Sequence, residues 1–215
     1  MTKMAFISLV LAMAVLAVSS TVSAAALSAT ITDPVGDATW HFNSGTESTR
    51  IPTYQDIAGA SISKKGNTFT FSLDMAGALP VAPSPLTDGV KLNVWVWGIT
   101  TDPAFSANGA PFPPGVSAFT QFDVRLHWDG ASFSAFLLDR RRLATSAEAV
   151  FSAVPFAVVG AEIHVSVDAA AIDNPTSLFW LAITADWLSP HFGTNGFSYL
   201  DFALAPNGDL ATWPS

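Results

Sequence analysis

Thr68-Phe69-Thr70-Phe71-Ser72-Leu73-Asp74-Met75 is the stretch that decides the fold class. Phe69, Phe71, Leu73 and Met75 fall on one side of a period-2 pattern, and Thr68, Thr70, Ser72 and Asp74 on the other. Successive side chains of a strand point to opposite faces, so this pattern predicts a strand with one buried face. Upstream, Ile57 to Ser63 alternates more weakly. Lys64-Lys65-Gly66-Asn67 between the two supplies turn chemistry, and the pair reads as a hairpin.

The same period recurs downstream. Phe122, Val124, Leu126 and Trp128 alternate with Asp123, Arg125, His127 and Asp129, and Asp129-Gly130 turns the chain into a strand over residues 132–138. Val90, Leu92, Val94 and Val96 form one face of a further strand. Its other face carries Lys91, Asn93, Trp95, Trp97 and Ile99, so it is covered on both sides or lines a groove. Residues 149–159, 162–167, 178–185 and 199–204 complete the strands, and Asp168 is placed to cap one short helix over 169–172, ended before Pro175. Helical periodicity is almost absent. The expectation is an all-β, two-sheet antiparallel sandwich, jelly-roll or immunoglobulin-like, of about eight to ten strands.

The N-terminus reads as a secretory signal. Lys3 precedes a nearly unbroken apolar run from Met4 to Val18, and Val22-Ser23-Ala24 fits a small-residue cleavage site. The run is shorter than the roughly 20 residues a spanning helix needs. Residues 1–24 are therefore expected to be removed, leaving 25–215 as one domain, secreted or otherwise extracytoplasmic, with no membrane span. Cysteine is absent, so neither disulfides nor an acylated N-terminal cysteine are available. Loss of Lys3 leaves 8 Lys+Arg against 17 Asp+Glu, a formal charge of −9. Nucleic-acid binding wants a basic stripe. The only basic cluster, Arg140-Arg141-Arg142, sits beside Asp139 and suits a solvated loop or a charged guard on a sheet edge.

Two proline-rich loops, 79–88 and 102–115, suit either functional loops or rigid connectors. The segment 187–197 carries Trp187, Phe192 and Phe197 with Gly193 and Gly196 among them, the aromatics either exposed together as a patch or packed over one end of the sandwich.

Asp33-Pro34-Val35-Gly36-Asp37 is the most suggestive polar stretch. Its turn can aim two carboxylates at one point, and Asp56 opens the next strand. Calcium takes six to eight hard oxygens from carboxylates and loop carbonyls. The same aspartates also suit turns made with their own backbone. These residues, with Pro52-x-Tyr54-x-Asp56-Ile57, residues 68–73, Leu200-Asp201-Phe202-Ala203-Leu204-Ala205-Pro206 and Thr212-Trp213, resemble secreted bacterial β-sandwich proteins similar to the DOMON and family-9 carbohydrate-binding-module-like superfamily. The resemblance implies a structural calcium ion, with Asp33, Asp37, Asp56 and Asp201 as ligands. It also implies carbohydrate or haem as ligand classes. Trp95, Trp97, Trp187 and Trp40 are the candidates for stacking on a sugar, although tryptophan is equally a large core residue. Haem would need Met75 with His127 or His164, and Met75 lies on an apolar strand face, so haem is not expected.

No catalytic motif is present. There is no cysteine, no G-x-S-x-G elbow, no phosphate-binding glycine loop and no paired-histidine zinc motif. His127 and His164 could still meet from separate strands as part of a metal-dependent enzyme. The chain reads as a non-catalytic, calcium-stabilised binding module for carbohydrate or another extracellular ligand. The alternative is a structural or interaction protein of the cell envelope with no small ligand.

Overall fold

A computed structural model describes residues 27–42, 45–47, 51–82, 84–86, 90–102, 120–141, 150–188, 197–206 and 208–214. Residues 1–24, read above as a signal, lie outside these residues, as do most of the second proline-rich loop and of the aromatic segment 187–197. The described chain forms two antiparallel sheets packed face to face. The first contains β1 (Leu27–Thr32), β4 (Ile57–Lys65), β5 (Thr68–Met75), β11 (Glu162–Asp168) and β10 (Phe156–Val159), in the spatial order β1-β4-β5-β11-β10. The second runs β3 (Gly45–Glu47), β2 (Trp40–Phe42), β13 (Phe197–Ala203), β12 (Leu178–Leu188), β6 (Val90–Thr100), β7 (Phe122–Trp128), β8 (Phe133–Asp139) and β9 (Val150–Ala153), with β14 (Ala211–Trp213) also paired to β12. No helix among the described residues is long and apolar enough to cross a membrane.

The alternation read in β5 is the one observed: Phe69, Phe71, Leu73 and Met75 are buried and Thr68 and Asp74 exposed. Lys65 pairs with Thr68 across Gly66, whose φ of +60° a β-carbon would disfavour. In the second hairpin Asp129 accepts hydrogen bonds from the backbone N–H groups of Ala131 and Ser132, both at 2.8 Å, which fixes the turn. β6 is covered on both faces. Trp95, Trp97 and Ile99 point between the sheets, while Val94 and Val96 join Leu181 and Ile183 in a smaller apolar cluster on the outer face.

The structure has more strands than the eight to ten expected. β2, β3 and β14 are three residues each, too short to show a period. The stretch read as one strand over 149–159 is two. It breaks at Val154-Pro155, with β9 in the larger sheet and β10 in the smaller. Proline cannot donate to a ladder, and here Pro155 contributes only its carbonyl, which accepts from Ser166 N–H at 2.9 Å. The chain thus changes sheets at the one residue that cannot pair on its N–H side. The expected helix after Asp168 is a single 3-10 turn over Ala169–Ile172. Asp168 caps it by accepting from Ala170 N–H, and the left-handed residues Asp173 and Asn174 end it. The two sheets are tied at Trp213 of β14, which donates its indole N–H to Leu27 C=O and packs edge-on against Phe69.

Candidate metal centre

The Asp33–Asp37 turn leaves β1, and its conformation depends on Gly36 at φ +92°. The turn is anchored twice: Asp33 N–H donates to Ala58 C=O, and Gly36 N–H donates to both carboxylate oxygens of Asp56, at 3.1 and 2.8 Å. Asp56 therefore acts from behind the loop, holding its backbone in place. Asp201 enters from β13 of the opposite sheet. One of its oxygens accepts from Ile57 N–H at 2.6 Å and the other from Phe202 N–H at 2.8 Å. As a result Asp33, Asp37 and Asp201 each bring a carboxylate oxygen within 4.8 Å of the other two.

Three carboxylates at that separation repel one another, and partial burial removes the water that would screen them. Burial first, then the charges of Asp37 and Asp56, push the Asp33 carboxyl up to about 7. Burial and the charge of Asp33 push Asp201 up to about 7 against the lowering effect of its backbone hydrogen bonds. Asp37, more open to solvent, is also raised, by burial and by Asp56. Asp33 Oδ2 is buried with no hydrogen-bond partner. A buried carboxylate oxygen without a donor needs a proton or a cation, so the donor set fits a hard divalent ion held by Asp33, Asp37 and Asp201.

No protein-family model, curated protein or solved structure matches the chain.

Behind the acidic cluster lies a polar group that sequence reasoning missed. Asp186 is buried and accepts from Gln55 Nε2 at 2.6 Å and Asn93 Nδ2 at 2.7 Å, while Thr184 Oγ1 donates to Gln55 C=O. Burial raises the Asp186 carboxyl and these hydrogen bonds oppose the rise. The segment Gln55-Asp56-Ile57 is thereby fixed residue by residue, to Asp186, to the Asp33–Asp37 turn and to Asp201. A trace of this group is legible: Asn93 lies on the tryptophan face of β6, where a polar side chain needs a buried partner.

Gly77 packs on the 3-10 turn, Thr53–Gln55, that leads into this segment. A β-carbon there would stand 2.0 Å from Thr53 Oγ1 and 2.7 Å from Thr53 Cβ. Gly77→Ala is expected to cost about 1–3 kcal/mol by overpacking. Urea unfolding checks it, and a cost near zero would mean that the turn moves freely.

The tryptophan candidates separate. Trp95 and Trp97 are wholly buried between the sheets, with indole N–H groups donated to Tyr54 C=O at 2.9 Å and Ser72 C=O at 3.2 Å. They are core residues and cannot stack on a sugar. The inward face of β6 holds them because it faces the first sheet and not a groove. Trp187 is 39 % exposed at the end of β12. Trp40 lies in β2, and its side chain is outside the described residues. His127 and His164 do not meet: they project from different sheets. Burial and Arg125 hold His127 down at about 4, whereas His164 bonds to Ser72 and contacts Glu162. Met75 is in the core. The basic run is ion-paired where described, Arg140 with Asp123 and Arg141 with Asp139 and Asp173.

Proposed function

We propose that this chain is a secreted, non-catalytic β-sandwich binding module stabilised by a calcium ion at Asp33, Asp37 and Asp201, with Asp56 holding the loop that presents the first two. The observation that carries this reading is the convergence of three carboxylates from two sheets, one with a buried oxygen that has no partner. Calcium suits the site because every candidate donor is a hard oxygen and the turn can add backbone carbonyls. The apolar run at residues 4–18 supports export, and the resemblance to family-9-like modules agrees with a structural calcium ion. In this reading carbohydrate recognition falls to Trp187 and Trp40. A second reading, an envelope protein working through protein contacts, is favoured by the exposed Phe151 on the edge strand β9.

The test is a thermal melt of residues 25–215, freed of metal and then given calcium or EDTA. A ligand that binds only the folded state at one hundred times its Kd adds about 2.7 kcal/mol. For a domain of this size that is about 5–10 °C in Tm. The shift should vanish in Asp37→Asn, an exposed position whose change leaves the core intact. An equal Tm with calcium and EDTA would return these aspartates to turn-making and shift the weight to the second reading.

A further inference from the structure

At the edge where the chain changes sheets, the sandwich does not close. A cavity of about 590 Å³ opens between the β7–β8 hairpin, the edge strand β10 and the segment after β5. Its walls are Leu79, Pro80, Trp128, Phe133, Phe156 and Val158. Trp128 and Phe133 pack against each other at 4.5 Å and form one side. The rims are pinned by backbone hydrogen bonds, Leu79 N–H to Gly160 C=O at 2.8 Å and Ser84 N–H to Gly130 C=O at 3.1 Å, so the cavity is preformed. Among the described residues no charged side chain lines it. The one hydroxyl, Ser132, lies against the Asp129 carboxylate. Val81, 85 % exposed, and Phe156, 42 % exposed, stand at the mouth.

We propose that this cavity binds the hydrocarbon chain of a single free amphiphile, with the polar head left in water at the mouth. The volume lies within the range of small-molecule sites, roughly 300–1,000 Å³. Among the described residues the wall's one hydroxyl already faces the Asp129 carboxylate, so it offers a sugar's hydroxyls little to pair with and favours an alkyl chain, which has none to pair. The open side admits a head group of either charge. A bounded cavity also suits one chain better than a bilayer, which needs a broad protruding apolar surface. The inference stands apart from the cation site, whose residues do not line the cavity.

The probe is 1-N-phenylnaphthylamine, whose fluorescence rises in an apolar site, displaced by neutral n-alcohols from hexanol to hexadecanol. Each buried methylene contributes about fourfold in affinity. The displacing affinity should climb by about that factor per carbon and then level off once the cavity is full. Dodecanoate should displace about as well as dodecanol. Phe156→Ser should weaken binding at least about fivefold by the area removed, and Val158→Trp, which fills the space, should abolish it. Leu27→Ser, an exposed apolar position on the far edge strand, should change nothing. Melts of each variant verify that it is folded. No probe uptake by the folded wild type overturns the proposal. So does an affinity that rises without levelling and is indifferent to Phe156 and Val158, which is adsorption to apolar surface. Phe156-dependent sedimentation with phosphatidylcholine vesicles would replace the free amphiphile with a membrane.

Discussion

Metal-free protein is expected to lose about 2–4 kcal/mol of stability relative to its Asp33→Asn variant as the pH is raised from 5 to 8. The Asp33 and Asp201 carboxyls titrate near 7 in the fold, against an ordinary value of 3.8. A raised carboxyl costs stability wherever the unfolded chain has already ionised and the folded one still holds its proton. Stability is therefore complete below the unfolded pKa and is lost as the pH rises through about 7. A shift of three units corresponds to about 4 kcal/mol in full, and solvent access at Asp33 and Asp37 reduces it. His127 works the other way, since its lowered pKa costs stability as the pH falls from 6.5 towards 4. That contribution is common to both proteins, so the difference isolates the acidic cluster. Calcium should reverse the slope: it binds the ionised carboxylates and displaces protons, so its affinity grows with pH. Urea unfolding at pH 5, 6, 7 and 8, with calcium and with EDTA, reads both. A difference that does not change with pH in EDTA would mean that the three carboxylates do not crowd one another.

Trp97→Ala should be the most damaging single core substitution, costing about 3–5 kcal/mol. Trp97 is wholly buried, contacts Phe71 of the facing sheet at a ring separation of 6.2 Å and donates its indole N–H to Ser72 C=O. Alanine leaves a cavity and an unpaired carbonyl between two sheets whose backbones cannot collapse inward. Trp97→Phe keeps most of the volume and loses only the hydrogen bond, so it should cost about 1–2 kcal/mol. Chemical unfolding of both variants checks the ratio. A cost below about 1 kcal/mol for Trp97→Ala would sink the assignment of this side chain to the core.

How far the sequence could be read follows from how many faces each strand buries. β5 buries one face, so its period is visible; β7 shows the same period because the residues of its other face are polar although Asp123 there is buried, and the inward residues of both strands are those observed. β6 buries both, and from composition alone its tryptophan face was equally a groove or a core. Lys91 and Asn93 at its start kept the groove alive, yet Lys91 is exposed and Asn93 is paired with Asp186. The strand switch at Pro155 was missed because both halves are apolar and nearly continuous. In the acidic cluster, Asp33 and Asp37 were legible from a Pro/Gly turn. Asp201 was not legible by spacing, because it comes from the other sheet, 168 positions after Asp33. The sequence marked it only as a strand-end aspartate near the C-terminus, which the family resemblance joined to the others. The cavity left no signal, since its walls come from three separate stretches with no shared pattern.

The bond from Trp213 to Leu27 bears on how the protein is made. It joins positions 186 apart, and Trp213 also seals β14 onto β12. At about 5–20 residues per second, a ribosome takes roughly 10–40 s to cover that interval. Throughout it the first strand of the smaller sheet lacks the indole that covers it. The strand that opens the smaller sheet therefore gains this cover only after residue 213 has been made.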